Sequence, residues 1–555
     1  MKHNRLIRVL VLLFAAFLML HISGCAKNPA PQNNADIKEN EPIISSSPDK
    51  EVFEEKSIHI VTYDFHNALY PWQMAQSEWM WPDVYEGLLS MEPYDAQTIK
   101  GELCSEWSHS DDWLTWTFTI KPNVFFTDGT VCDAYAIEEY FSLVSLQRFS
   151  YCGIEEISAR DEHTLTVKLS KACAWIEREL CQGNFAVSSP TALKLYGKDD
   201  ARSCVGTGPY MLSAQKSTHL ERYAEFVKNE NYRDDGAAFF DKIIFTAASD
   251  DFADPVEGLL SCKCDVVVFS ADAKKLERYS QEGIVIERKF KGTDSAWFNP
   301  SLYEAFEDKS VRKAVSRLID VEAINQQLYC GMGNIQTGIW AEGTPSYVPF
   351  EGCAYNLEEG LALLADAGLS PEDISFVIKD NGDKTKLNEA IRDQLNSVGM
   401  NIEIAYKSPE SPYYNINGSP LTVPGKMGYY YGEARFGYFA GSGPQVPWTG
   451  IMEEYNGEDL TGVIMDFSSP IWKFSWQEIY DPDLYAQMCD LYDRIMTTPH
   501  WDEMVECSRE LTRIVQEDYA ALPLVQEPVF FAVREGAEEQ FQALTQTSMF
   551  KWMYQ

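Results

Sequence analysis

Histidine is scarce in this chain, with eight residues among 555, and two of the eight precede residue 25. Imidazole is the usual proton carrier near neutral pH, so general acid and base catalysis has few candidates here, and none stands in a recognisable motif. No G-x-S-x-G elbow, H-E-x-x-H pair, Walker loop or dinucleotide fingerprint occurs. Acidic pairs such as Asp111-Asp112 have the chemistry of a glycosidase, but a chain with 84 acids holds such pairs by chance. No C-x-x-C spacing is present, and Cys262 and Cys264 flank a single lysine with no neighbouring histidine, so no zinc pattern is completed. Basic residues are few as well: 46 Lys and Arg against 84 Asp and Glu give a formal net charge of −38. That balance excludes a nucleic-acid partner, which requires a cationic surface to replace its counterions. Repeats of fixed period are absent, which argues against a solenoid. These absences point to a protein that is not an enzyme and holds neither cofactor nor metal.

What the chain does have begins at its N-terminus. Lys2, Arg5 and Arg8 give a cationic start, and Leu10 to Leu20 is an apolar core of signal-peptide length, too short for a bilayer span. No later stretch of about 20 apolar residues follows, so the remainder is expected outside the bilayer. The run Leu20-His21-Ile22-Ser23-Gly24-Cys25 resembles the lipobox of bacterial lipoproteins, in which the cysteine is lipidated and becomes the new N-terminus. Each buried acyl CH₂ adds about 0.8 kcal/mol, so a multiply acylated Cys25 would hold a soluble domain at a membrane without any spanning helix. From there to about Glu55 the chain is rich in Pro, Asn, Ser, Glu and Asp with hardly an apolar cluster, the composition of a flexible tether. Without the leader, 43 basic residues face 84 acidic ones, a charge of −41 that favours solubility. The 45% hydrophobic and 13% aromatic content is ample for a large core divided among two or three domains. Twelve cysteines remain besides Cys25 in an exported chain, where disulfides are chemically permitted and their pairing is not legible. Those within apolar patterns, such as Cys489 and Cys507, read as small core residues.

Periodicity supplies the elements. Ser57 to Tyr63 alternates as a strand, and a helix containing Trp79, Val84 and Leu88 is expected after it. Leu114 to Ile120 and Leu165 to Leu169 alternate apolar and hydroxyl or charged residues, as half-buried strands do, and Asp128-Gly129 marks a tight turn. Between them Ile137, Tyr140, Phe141 and Val144 recur at helical spacing. Ile243 to Phe245, Val256 to Leu260 and Val266 to Phe269 read as strand, helix, strand, an α/β layer. Val311, Ala314, Val315, Leu318 and Ile319 form one helical face; Leu357, Leu361 and Leu364 form another, stopped by Gly368. Leu387, Ile391, Leu395 and Val398 make a third, ended by Gly399 before a strand from Met400 to Ile404. Helices at 484–495 and 504–515 precede a last strand, Val529 to Val533.

In this order the fragments resemble one family, the extracellular solute-binding proteins of family 5, the peptide, dipeptide and nickel binders of ATP-driven importers. The resemblance rests on Val84-Tyr85-Glu86-Gly87-Leu88-Leu89; on Leu103 to Trp107 and Asp111-Asp112; on Thr115 to Lys121 and Val124 to Thr130; on Gly206-Thr207-Gly208-Pro209-Tyr210; on Asn229 to Tyr232; and on Phe298-Asn299, Phe306 to Asp308, Val311 to Ala314 and Leu318-Ile319-Asp320. It implies an α/β fold, periplasmic-binding-protein-like type II, with two lobes, an inserted third domain and a hinged ligand cleft. On that pattern residues 1–24 are a lipoprotein signal peptide and 25–56 the disordered tether. Residues 57–90, 205–298 and 523–555 make lobe I, 91–204 a domain inserted in it, and 299–522 lobe II. By family position Trp72, Trp297 and Asn299 line the near side of the cleft, and Arg435, Tyr438, Phe439 and Ser442 the far side. Leu69-Tyr70-Pro71 replaces the common Leu-Asp-Pro. In peptide binders the position of Gly441 is an aspartate that pairs with the ligand ammonium, and a buried ammonium without a partner is costly, so capture of a free peptide N-terminus is placed in doubt.

The implied protein is a monomeric lipoprotein on the extracytoplasmic face of the cell membrane, held there by its lipid anchor alone. It captures an oligopeptide or related small solute and passes it to the transmembrane subunits of an ABC permease. The aromatic clusters around Trp72, Trp79 and Trp81 and at Tyr429-Tyr430-Tyr431 keep an oligosaccharide receptor open as an alternative, and a lipid-anchored extracellular hydrolase is the alternative of a different class. Cys25→Ser in the full-length chain is expected to shift the protein from the detergent-rich to the aqueous phase on detergent phase separation; retention in the detergent phase would contradict an anchor at Cys25.

Overall fold

The computed structural model describes residues 56–62, 71, 83–91, 98–144, 153–181, 183–213, 223–234, 236–248, 255–290, 295–298, 304–340, 342, 345–380, 385–406, 481–547 and 550. The chain divides into two units, Met1–Glu54 and Glu55–Gln555, and every described residue belongs to the second. Cys25 and the expected tether lie outside the described residues, apart from exposed Lys56.

The first element among the described residues is β1 (Ser57–Thr62), where the β-branched alternation predicts a strand. The pair β2 (Leu89–Met91) and β3 (Ile99–Gly101) leads into an antiparallel sheet of β4 (Cys104–His109), β5 (Thr115–Ile120), β6 (Ile154–Asp161) and β7 (Thr164–Leu169), in the order β4-β5-β7-β6. In β5, Trp116, Phe118 and Ile120 are buried while Thr115, Thr117 and Thr119 are more open, the period of two that a one-sided sheet demands. Helix α1 (Ala134–Val144) joins the same core through Ile137, Tyr140, Phe141 and Val144.

The chain then returns to β1. Strands β8 (Tyr210–Leu212), β9 (Tyr223–Lys228), β10 (Lys242–Ala247), β11 (Val266–Ser270) and β12 (Val285–Phe290), with helices α2 (Pro255–Leu260) and α3 (Ala273–Gln281), build a seven-stranded sheet around it. β1 lies between β10 and β11, parallel to both. The C-terminal strand Pro528–Val533 inserts antiparallel between β11 and β12. All six of its residues are buried, which explains why Val529 to Val533 is continuously apolar instead of alternating.

A third layer follows: β13 (Ser295–Trp297), α4 (Lys309–Arg317), α5 (Val321–Tyr329), β14 (Asn334–Ile335), α6 (Leu357–Asp366), β15 (Ser375–Asp380), α7 (Thr385–Ser397) and β16 (Asn401–Tyr406). Asp308 and Asp320 cap α4 and α5 by accepting from the amides of Ser310 and Ala323. β15 and β16 are parallel, with α7 as their crossover. Val311, Ala314, Val315, Leu318 and Ile319 are buried in one core with Leu387, Ile391 and Leu395, as their spacing predicts. Gly368 and Gly399 close α6 and α7 at φ 76° and 101°, where a side chain would be strained. Helices α8 (Pro482–Thr497) and α9 (Trp501–Glu517) then lead through β17 (Ala521–Pro523) and β18 (Val525–Gln526) to β19, the strand Pro528–Val533.

Two sequence expectations are corrected. Val84 and Leu88 are not helical: residues 83–88 run as a turn and an isolated bridge into β2. Their carbonyls are engaged elsewhere, Val84 accepting from Gly208 N at 3.0 Å and Asp83 from Tyr210 N at 2.9 Å, which removes the i to i+4 partners of a helix. In α6, Leu357 is exposed while Gly360 and Leu364 are buried, because the helix meets Leu318 and Ala314 through its glycine. No disulfide joins any two of the eleven described cysteines; Cys507 is a core residue, while Cys489 is half-buried.

The contact between residues 83–84 and 206–208 depends on missing side chains. A Cβ on Gly206 would stand 2.0 Å from Val84 O, and one on Gly208 2.6 Å from Asp83 O, both rigid backbone atoms. Gly206→Ala is therefore expected to cost about 1–3 kcal/mol in urea unfolding; a midpoint shift within experimental error would show that this junction yields.

Candidate ligand cleft and crossover

The chain passes between its layers as paired strands, and each pair is fixed by a buried charge. At the first passage, residues 83–88 run beside 203–210. Glu86, 2% exposed, accepts from Arg233 Nη1 and Nη2 at 2.6 and 2.5 Å and from Tyr232 Oη at 2.9 Å. Asn229 Nδ2 donates to Gly208 O at 2.9 Å. Glu102 accepts from Gly87 N at 2.9 Å, and burial, then the charge of Glu86, pushes its carboxyl well above the usual carboxylate range. Four segments that carry the family resemblance, Val84 to Leu89, Leu103 to Trp107, Gly206 to Tyr210 and Asn229 to Tyr232, meet at or beside this junction. Their residues hold the fold together.

The second passage connects the seven-stranded sheet with the third layer. β13 leaves the sheet and β17 returns to it, antiparallel, with Ser295 opposite Pro523 and Trp297 opposite Ala521. Phe298 N donates to Ala520 O at 2.9 Å, and β14 pairs with β18 beside them. β17 divides its side chains between two cores: Ala521 belongs to the one with the four-stranded sheet and α9, Leu522 to the one with α4 and α7.

Arg312 fixes this crossover. It is fully buried on α4, next to the apolar face. Nη2 donates to Asp518 Oδ1 and to Asp518 O, both at 2.7 Å, and Nε donates to the same carbonyl at 3.1 Å. Nη1 donates to Phe306 O and Glu307 O at 2.6 and 3.1 Å. A planar guanidinium can serve five acceptors in one plane, which an ammonium cannot. Asp518 ends α9, and the next residue, Tyr519, takes the left-handed conformation at φ 54°, a strained turn for an aromatic residue. Burial pushes Asp518 up to about 6, outweighing the opposing charges of Arg312 and Lys309. In the sequence Arg312 stands beside Lys313 within the motif Val311 to Ala314, with nothing to set it apart, and its partner lies 206 residues away.

Of the seven cleft residues expected from sequence, Trp297 is placed at the end of β13 through its backbone. Trp72, Asn299, Arg435, Tyr438, Phe439 and Ser442, together with Gly441, lie outside the described residues. No group of three or more metal-ligating side chains occurs among the described residues.

A family model described as bacterial extracellular solute-binding proteins, family 5 middle, matches residues 98–437, more than half of the chain. The glutathione-binding protein GsiB of Salmonella paratyphi A is 22% identical over 373 residues, 63% of this chain and 68% of that protein. The probable D,D-dipeptide-binding periplasmic protein DdpA of Escherichia coli K12 is 26% identical over 325 residues, 55% and 60% of the two. Among solved structures, NikA from Brucella suis in complex with Fe(III)-EDTA matches with a TM-score of 0.66 at 17% identity, covering 86% of this chain and 95% of that one. The fold is thus α/β, periplasmic-binding-protein-like type II.

Arg312→Met, which strands the Asp518 carboxylate, is expected to destabilise the protein by about 3–5 kcal/mol in chemical denaturation. The raised Asp518 carboxyl makes the folded state bind more protons than the unfolded chain between about pH 4 and 6. Its contribution is present below pH 4 and lost as pH rises through about 6. Asp518→Asn should remove that part of the pH dependence, so unchanged slopes over this window would contradict the assignment.

Proposed function

The chain belongs to the bacterial extracellular solute-binding proteins of family 5, and from that premise we propose that it captures an oligopeptide or related small solute for an ABC permease while tethered through Cys25. The observation that carries this reading is the match over residues 98–437, which includes Gly206 to Tyr210, Asn229 to Tyr232 and Val311 to Ala314 and extends to Arg435. It is supported by relatives named for glutathione and a D,D-dipeptide, both small peptidic solutes. Residues 57–90, 205–298 and 523–555 form lobe I in this reading, 91–204 the inserted domain and 299–522 lobe II, with β13 and β17 as the hinge. Closure is limited by the difference in ligand affinity between closed and open forms.

Trp72, Trp297 and Asn299 form the near wall and Arg435, Tyr438, Phe439 and Ser442 the far wall. Arg435 meets a ligand carboxylate, since a guanidinium gives a bidentate pair with that group. Gly441 offers no anion, so the ligand's amine is engaged by another group or is absent. The same substitution and the aromatic clusters favour an oligosaccharide as the second reading.

Titration calorimetry of the detergent-solubilised full chain against peptide and glycan panels separates the two. Peptide binding with Arg435→Ala weakening it about ten- to hundredfold is the expected result. Binding by glycans alone, or by neither panel, would overturn the peptide reading.

A further inference from the structure

Helix α9 spans 17 residues, so its ends lie about 25 Å apart, and each end is gripped by a different part of the molecule. At the C-terminal end, Arg312 of α4 holds Asp518. At the N-terminal end, the grip comes from the four-stranded sheet and from the short helical turn Ile176–Glu179. Trp113, at the tip of the β4–β5 hairpin, sets its ring against His500 in an edge contact at 5.6 Å. Arg178, 6% exposed, lies 3.4 Å over the ring of Trp501.

Trp113 is strained for this task. Its φ is 61°, a left-handed conformation unfavourable for a bulky residue. The turn is held by Trp113 N donating to Ser110 O at 2.9 Å, and the indole is stacked on His109 at 3.7 Å. The opposite side is equally built: Trp107 Nε1 donates to Glu177 at 2.6 Å, beside Arg178. Between its ends α9 is bonded to the segment after β14. Arg509 Nε donates to Pro345 O at 2.8 Å, Trp340 Nε1 to Thr512 at 3.0 Å, and Gln516 accepts from Ile339 N and donates to Val348 O. That segment is continuous with β14, which pairs with β18 at the crossover.

We propose that α9 is a strut that couples the inserted domain to the hinge, so that the Trp113 and Arg178 grip at residues 500–501 restrains the opening of β13 from β17 at its far end. The proposal rests on the crossover being the hinge of the solute-binding reading, but its test needs no ligand. Closure of a two-lobed protein is otherwise a matter for the hinge strands alone. Here the inserted domain holds the distal end of the helix that feeds one of them, and a helix bonded along its length moves as one piece. Displacing the grip must therefore reach Asp518 and the strained turn at Tyr519.

Amide hydrogen exchange of the full chain tests this with His500→Ala, whose ring is exposed, and Trp113→Asn, which keeps a residue tolerant of left-handed φ while removing the indole. Exchange is expected to rise about three- to tenfold at residues 502–506, the range that one aromatic edge contact supports, and to rise also at Phe298 and in β17. The β5–β7 pairing should be unchanged. An increase confined to residues 502–506 would overturn the strut, and no increase at either end would overturn the grip itself.

Discussion

Five hydrogen bonds from one buried guanidinium, that of Arg312, hold the point on which the rest of this molecule turns. A chain that passes twice between two layers must carry its backbone through apolar surroundings, where every unpaired carbonyl costs free energy. Arg312 satisfies the carbonyls of Phe306, Glu307 and Asp518 at once and adds the Asp518 carboxylate. Lysine could not reproduce this, because its three donors lack the planar fork. The same side chain therefore caps a helix end, seats α4 and fixes where β17 begins.

The two passages illustrate different uses of one device. Between residues 83–88 and 203–210 the strands touch backbone to backbone at Gly206 and Gly208, and Glu86 is locked by Arg233 and Tyr232. Nothing there has room to move. Between β13 and β17 the contact is three residue pairs long, and the clasp at Asp518 is followed by a strained turn. A close-packed junction and a thin one are thus joined by the same sheet.

This arrangement also explains why the family was easier to read than its ligand. Four of the motifs that carry the resemblance, Val84 to Leu89, Gly206 to Tyr210, Asn229 to Tyr232 and Val311 to Ala314, lie at the two junctions. At those positions buried charges and glycine contacts admit few substitutes, whatever solute is bound. A lipid at Cys25 would place that solute-binding fold near a permease and raise its effective concentration there. The far wall proposed for the cleft, by contrast, falls at 435–442, outside those motifs.

Sequence by itself determined the local elements. The faces of α1, α4 and α7, the alternation of β5, the continuous apolar run of β19 and the glycine stops at Gly368 and Gly399 follow from period and side-chain chemistry, which act within a few residues. It misread residues 84–88 as helical because the apolar spacing fits a helix, while the partners that hold them extended, Gly208 and Tyr210, lie more than 120 positions away. It left Arg312 as one cation in a motif and Trp113 as one aromatic among many. Only the tertiary structure assigned them, since Asp518 against Arg312 and His500 against Trp113 stand at the two ends of α9, and a pairing across such separations depends on how the layers assemble.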